Sequence, residues 1–368
     1  MIVFANRGAE SLGICHLSAM LKENSISTRL AFEPSLFDDT KYLHYPAIPK
    51  LLNYNKRFAN YILEMKPTVL AFSVLTMNYL WALDIARRVK QESDVVTVFG
   101  GIHVQALPEE TLKNSQVDYI LRGEAEYTFL NLVKSLSEGT PDHSIDGLGY
   151  KDHGELKLNP VGPIIKDLDA LPFADREIFA PYEDYRHMIF MCGRGCPMRC
   201  TFCDSPVQME HFPDSKNYLR YRSVDRCFEE MKILRARYNV QSFQISDDIF
   251  TVNKTWMGEF CSRYPSEIGL PFQVAGYPTT LSEEKIIMLK EAGCSFLQMG
   301  IQSLNQDNRR KILDRRETNE QIAQCIDWCR KYDLNMSTDY IFFPWEISEE
   351  DQLKAARFFQ KHPPDRLA

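Results

Sequence analysis

The sequence predicts an α/β protein in two parts, a doubly wound parallel sheet followed by a partial β/α barrel. Three observations carry this. Short apolar runs alternate with amphipathic stretches from residue 1 to about residue 138, a proline-rich interval extends to about residue 185, and the alternation then resumes. Strand–helix alternation is the pattern of a parallel sheet flanked by helices.

In the first part, Ile2–Ala5, Thr28–Phe32, Val69–Val74, Val95–Phe99 and Tyr119–Leu121 read as strands, and Ser11–Lys22, Tyr79–Lys90 and Tyr127–Leu136 as helices. Small or polar residues sit where strands should end: Ser73 and Thr76, Gly100 and Gly101, then Arg122, Gly123 and Glu124. In such sheets ligands bind outside the carboxyl ends of the strands, where strand order reverses, so these groups mark a pocket rim. From residue 139 to 185, Pro141, Pro160, Pro163, Pro172 and Pro181 break both periodicities, and the interval reads as a linker between domains 1–138 and 186–368. In the second part His187–Met191, Gln241–Ser246, Phe272–Gly276, Ser295–Gly300 and Asn335–Phe342 each precede a helix-like segment, which gives about five β/α units.

Composition narrows the function. The 368 residues are 44% hydrophobic and 25% charged, an ordinary globular balance. The formal net charge of −7, without a basic block, argues against a nucleic-acid partner. No apolar run reaches the ~18 residues of a membrane span. The N-terminus MIVFANRGAE lacks the features of a signal peptide, so a cytoplasmic location is expected, where the ten cysteines would stay reduced.

The strongest local signal is MCGRGCPMRCTFCDSP, in which Cys196, Cys200 and Cys203 form CxxxCxxC directly after a predicted strand. Closely spaced thiolates suit zinc or an iron–sulfur cluster. Structural zinc takes four ligands, whereas three thiolates leave one iron of a cluster open. With the aromatic Phe202 before the last cysteine, the motif resembles the signature of the radical S-adenosylmethionine (SAM) superfamily. That resemblance implies a 4Fe-4S cluster on the three cysteines, with SAM on the open iron. It also implies roles for three later segments. Asp247 and Asp248 in FQISDDIF would contact the SAM amino group or substrate, or else cap a turn. Gln302 and Ser303 in GIQS would approach the SAM ribose, with Gln in place of the commoner Glu. Arg315 in DRRET would supply a cation to the SAM carboxylate, the alternative being a solvated charge run. Cys192 reads as a packed strand-end thiol, and Cys325 and Cys329 as one buried helix face with Ile322 and Ile326.

Residues 1 to about 138 resemble the cobalamin-binding, Rossmann-like domain that precedes the barrel in one radical SAM subfamily, through SVLTMN, VFGGIHVQALPEE and RGEAE. The resemblance implies that Ser73, Thr76, Gly100 and Gly101 line the pocket of the cobalamin tail, and that Arg122, Gly123 and Glu124 lie near the corrin. Cobalamin mutases carry DxHxxG after the first strand, where this chain has Asn6, Arg7, Gly8 and Ala9. Base-off cobalamin without a His ligand is therefore expected, with His103 in a structural role.

The function expected is that of a cobalamin-dependent radical SAM enzyme that methylates an unactivated carbon of a small molecule or peptide and takes electrons from a donor such as flavodoxin or ferredoxin. Two alternatives stand beside it. One is a radical SAM enzyme with a vestigial cobalamin domain, performing oxidation, cyclisation or methylthiolation. The other is a non-catalytic iron–sulfur or cobalamin-binding protein. Because barrels of this family usually have six units, five, with an open edge on the last strand, imply a fragment or a natural short form whose substrate side is open and is completed by another chain.

Overall fold

The structure, a computed structural model, describes residues 1–35, 38–39, 43–44, 53–343 and 348–368. The chain divides into two compact units, one of residues 1–165, 170–183 and 210–215, the other of residues 166–169, 184–209 and 216–368.

The first unit is built on a seven-stranded sheet of β1 (Ile2–Arg7), β2 (Thr28–Glu33), β3 (Val69–Ser73), β4 (Val96–Gly100), β5 (Tyr119–Leu121), β6 (Leu148–Asp152) and β7 (Glu155–Leu158). Its order is β2-β1-β3-β4-β5-β6-β7, parallel through β5 and antiparallel beyond. The central strands are continuous apolar runs because helices cover both faces. Val3, Ala5, Leu70, Phe72 and Phe99 are all buried, and Phe72 stacks on Phe99 at 4.7 Å. From β1 the chain moves outward to β2 and returns to β3 on the opposite side, so the switch point lies between the carboxyl ends of β1 and β3.

The interval read as a linker does more than connect. Residues 148–158 form the β6–β7 hairpin, which pairs with β5 through Ile120 opposite Gly149 and belongs to the first unit. Two strands of five and four residues around a His153–Gly154 turn are too short to show a period among so many prolines and glycines.

The second unit holds six parallel strands: β8 (His187–Phe190), β11 (Ser242–Ile245), β12 (Phe272–Gly276), β13 (Cys294–Gln302), β14 (Met336–Tyr340) and β15 (Arg366–Leu367), in that order. Two short strands, β9 (Gly193–Arg194) and β10 (Arg220–Tyr221), pair separately. Capping residues start the crossover helices: Ser223 Oγ accepts from Arg226 N, Asn253 Oδ1 from Trp256 N, and Thr318 and Gln321 form a reciprocal capping box. Between β12 and helix Lys254–Glu267, Phe250, Phe260, Tyr264 and Phe272 form an aromatic core, with Tyr264 and Phe272 at 4.6 Å. The expectation of five strands is corrected here. Arg366 and Leu367 pair with Ser337 and Thr338 of β14, which supplies a sixth parallel strand and covers the edge expected to be open. Two residues after Pro363–Pro364 carry no readable strand pattern. Among the described residues no helix is long and apolar enough to cross a membrane.

One glycine at the end of β4 generates a test. Gly101 has φ +98°, and a Cβ there would lie 2.7 Å from Val74 N and 2.8 Å from Val74 O, so it is needed for the approach of two backbones. A Cβ on Gly100 would meet only Leu121 Cβ at 3.8 Å. Gly101→Ala is expected to lose about 1–3 kcal/mol of stability, the range for one strained backbone position. Gly100→Ala should stay within about 0.5 kcal/mol of wild type. Urea unfolding of both variants measures the difference.

Candidate functional site

The cysteine loop leaves β8 and is anchored before its first predicted ligand. Asp247, just past the end of β11, accepts on Oδ1 from Cys192 N at 2.7 Å and Gly193 N at 3.1 Å. Gly193 and Arg194 then pair with β10. At Gly195 φ is +91°, and a Cβ would meet Tyr218 O at 2.3 Å, so only glycine lets the loop pass. Cys196 and Cys200 follow, both buried, in one apolar group with Ile249 and Tyr277, against which Cys203, Met198 and Val252 pack. The far side is tied down as well: Thr201 donates from N to Leu313 O and from Oγ1 to Ile312 O at 2.6 Å.

Burial pushes the Cys196 thiol up to about 12 and raises Cys200 and Cys203 as well; at Cys200 the positive charge of Arg315 works against this rise. Among the described residues no three His, Cys, Asp or Glu side chains already surround a single-ion position. Three soft thiols gathered in one mostly apolar group fit a cluster held at three of its irons.

Arg315 is the most constrained group here. It is 3% exposed, bonds Glu317 Oε1 through Nε at 2.6 Å, donates Nη2 to Gly300 O at 2.6 Å, and brings Nη1 to 4.0 Å from Cys200 Sγ. Its guanidinium lies over the Tyr277 ring at 4.3 Å, and Tyr277 Oη donates to Glu317 Oε2 at 2.9 Å. Arg309, fully buried, donates to Ser303 O, to Glu317 O at 3.0 Å and to Asn319 Oδ1 at 2.6 Å. The solvated charge run weighed as an alternative for DRRET is thereby corrected at Arg315, which is buried and paired. Glu317, Tyr277 and Arg309 were missed. A buried Arg needs several partners, but their positions are set by strands distant in sequence.

The other predicted residues separate by position. Asp247 is buried, and burial pushes its carboxyl up to about 7; Asp248 is exposed, its carboxyl raised by the surrounding protein and by Asp204. Gln302 adopts φ +65° where the β13–β14 register shifts, a conformation rare outside glycine. Ser303 is fully buried, its Oγ accepting from Asn305 N. Phe202 is 45% exposed. Cys192 is fully buried beside Cys227, and Cys325 and Cys329 are buried on one helix with Ile322 and Ile326, as read from the sequence.

In the first unit, Ser73, Thr76, Gly100 and Gly101 lie at the carboxyl ends of β3 and β4, with Thr76 Oγ1 3.1 Å from His103 Nδ1. His103 lies against the Tyr79 ring at 4.0 Å, and burial lowers its pKa. Arg122 donates to Asn159 O, Gly123 O accepts from Gln105 Nε2, and Glu124 Oε2 accepts from Ile165 N, so these three also hold the polypeptide around them. The segments that follow β3 and β4, loop and first helical turn together, expose Leu75, Met77, Leu80, Ile102 and Leu107, with Met77 86% and Leu80 77% exposed. Exposed apolar side chains at strand carboxyl ends, those after β3 beside the switch point, mark a ligand or interface surface and fit a large, partly apolar group such as a corrin.

The comparisons with known proteins agree with this geometry. Residues 190–359 match the Radical SAM superfamily, and residues 5–133 match the B12 binding domain. The chain therefore carries a radical SAM domain and a B12-binding domain. An uncharacterized methyltransferase of Pyrococcus horikoshii is 29% identical over 79% of this chain and 64% of its own length. The anaerobic magnesium-protoporphyrin IX monomethyl ester cyclase of Rubrivivax gelatinosus is 27% identical over 78% and 58%. The chain therefore spans about three-fifths of these two relatives. In architecture it resembles the radical SAM methyltransferase TsrM of Kitasatospora setae, with a TM-score of 0.78 and 16% identity over 100% of this chain and 72% of that one. It also resembles OxsB with aqua-cobalamin bound, with a TM-score of 0.76 and 18% identity over 97% and 51%.

The anchoring role of Asp247 is testable. Asp247→Asn keeps an acceptor for both amides, whereas Asp247→Ala leaves two buried N–H groups unpaired at about 1–3 kcal/mol each. Because the folded-state pKa is raised, the Asp247 contribution is fully present below the unfolded value and is lost as pH rises toward 7. Asp247→Asn should therefore gain on wild type between pH 5 and 8, and Asp247→Ala should be less stable than Asp247→Asn throughout. Thermal melts across that range read both effects.

Proposed function

We propose that this chain is a cobalamin-dependent radical SAM methyltransferase, cleaving SAM reductively and methylating an unactivated carbon of a small molecule or peptide. The observation that carries this is the grouping of Cys196, Cys200 and Cys203 at the end of β8 in a chain that also has a B12-binding domain. When bound, the cluster supplies the electron that cleaves SAM to a 5′-deoxyadenosyl radical, and cobalamin supplies the methyl group.

The residues of the chain bind, orient and exclude water. The three thiols hold the cluster, and their apolar surroundings, Ile249 and Tyr277, keep solvent from it. Asp248, exposed beside the thiols, would accept from the SAM amino group, and Gln302, at the end of β13, would reach a ribose hydroxyl. In the first unit the open carboxyl ends of β3 and β4 would take the cobalamin. Asn6 donates to Ala9 O and Arg7 pairs with Glu33, so the turn where mutases place their His carries no imidazole, which supports base-off cobalamin. Electrons would come from a flavodoxin- or ferredoxin-type donor. Cyclisation is a second outcome, favoured by the similarity to the ester cyclase.

Anaerobic reconstitution tests the proposal. The loaded chain should contain iron, sulfide and corrin and should release 5′-deoxyadenosine from SAM under reduction; loading without that release would overturn the proposal. Isotope from the SAM methyl group should appear in product if methylation is correct and be missing if the chain cyclises. The Cys196→Ala/Cys200→Ala/Cys203→Ala variant is expected to lose iron and sulfide completely, while Cys192→Ala should retain them. The cob(II)alamin state should show no nitrogen splitting in electron paramagnetic resonance.

A further inference from the structure

The buried knot beside Cys200 has no part in the roles assigned above. Arg315 was expected to offer a cation to the SAM carboxylate, yet its guanidinium already holds Glu317 Oε1, Gly300 O and the face of Tyr277, and one N–H lies 4.0 Å from Cys200 Sγ. Glu317 is in turn fixed by the Tyr277 hydroxyl at 2.9 Å, and its backbone carbonyl by Arg309 at 3.0 Å. The Arg315 side chain is 3% exposed and Glu317 is fully buried, so removing the guanidinium alone would leave Glu317 a buried carboxylate without its counter-charge.

We infer that Arg315 is a positioning residue for the cluster: oriented by Glu317 and Tyr277, it presents an N–H and a positive charge to the Cys200 sulfur and so raises the reduction potential. Hydrogen bonds to ligand sulfurs and nearby charge are two of the terms that set the potential of an iron–sulfur cluster, because both favour the reduced, more negative state. The inference rests on the cluster assignment of the proposed function and adds a role for three residues outside the cysteine motif. Electron uptake, which precedes SAM cleavage, is the step it would govern.

The test is a potentiometric titration, followed by electron paramagnetic resonance, of the anaerobically reconstituted full chain, with iron and sulfide measured in each sample. Two variants are compared with wild type. Arg315→Met/Glu317→Gln removes both charges together and leaves an acceptor for Tyr277. Arg315→Lys keeps the charge but loses the planar fork whose separate nitrogens reach Glu317, Gly300 O and the sulfur. Both are expected to load and to shift to lower potential, the double variant further. Wild-type potential in loaded variants would overturn the inference while leaving the cluster assignment intact. If the double variant does not load, Arg315→Lys decides by the same criterion; if neither loads, the knot serves loop folding and the inference fails. Wild type without a 4Fe-4S signal would overturn the proposed function, and the inference with it.

Discussion

A guanidinium carries five N–H donors and a charge that is never lost, so burying one requires partners on every side. Arg315 meets that requirement with partners from separate parts of the second unit: Tyr277 after β12, Gly300 in β13, Glu317 two residues on, and Cys200 in the loop after β8. The pair with Glu317 adds little net stability, since desolvating two charges offsets much of their attraction. Its effect is to fix where the second cysteine sits relative to the strand ends.

Asp247 works in the same way on the other side of the loop. One carboxylate oxygen takes two successive backbone amides and holds Cys192 and Gly193 against the end of β11. With Thr201 tied to Ile312 and Leu313, the segment that bears the three thiols is held before and within the motif by contacts that use none of the thiols. The three thiols are thus pre-positioned by their surroundings, which would reduce the ordering that cluster binding has to drive.

Both units place their candidate chemistry at the carboxyl ends of parallel strands. There the loops are released from the sheet ladder and can carry groups that a strand interior would exclude. In the first unit that edge is apolar and exposed, with Met77 and Leu80 uncovered; in the second it is lined by thiols and a buried ion pair.

The sequence by itself determined the α/β class, the division into two parts, the parallel strands and the cysteine triad. These depend on local apolar periodicity and on spacing within one short loop, which are legible without knowing what lies alongside. It also marked Cys192, Cys325 and Cys329 as core residues. The β6–β7 hairpin and the two-residue β15 were decided only by the tertiary structure, because such short strands exist through pairing with β5 and β14 and carry no period of their own. The same holds for the partners of Arg315. Tyr277, Gly300 and Cys200 are far apart in the chain, and only the folded sheet brings a ring, a carbonyl and a sulfur around one guanidinium whose charge could not be buried without them.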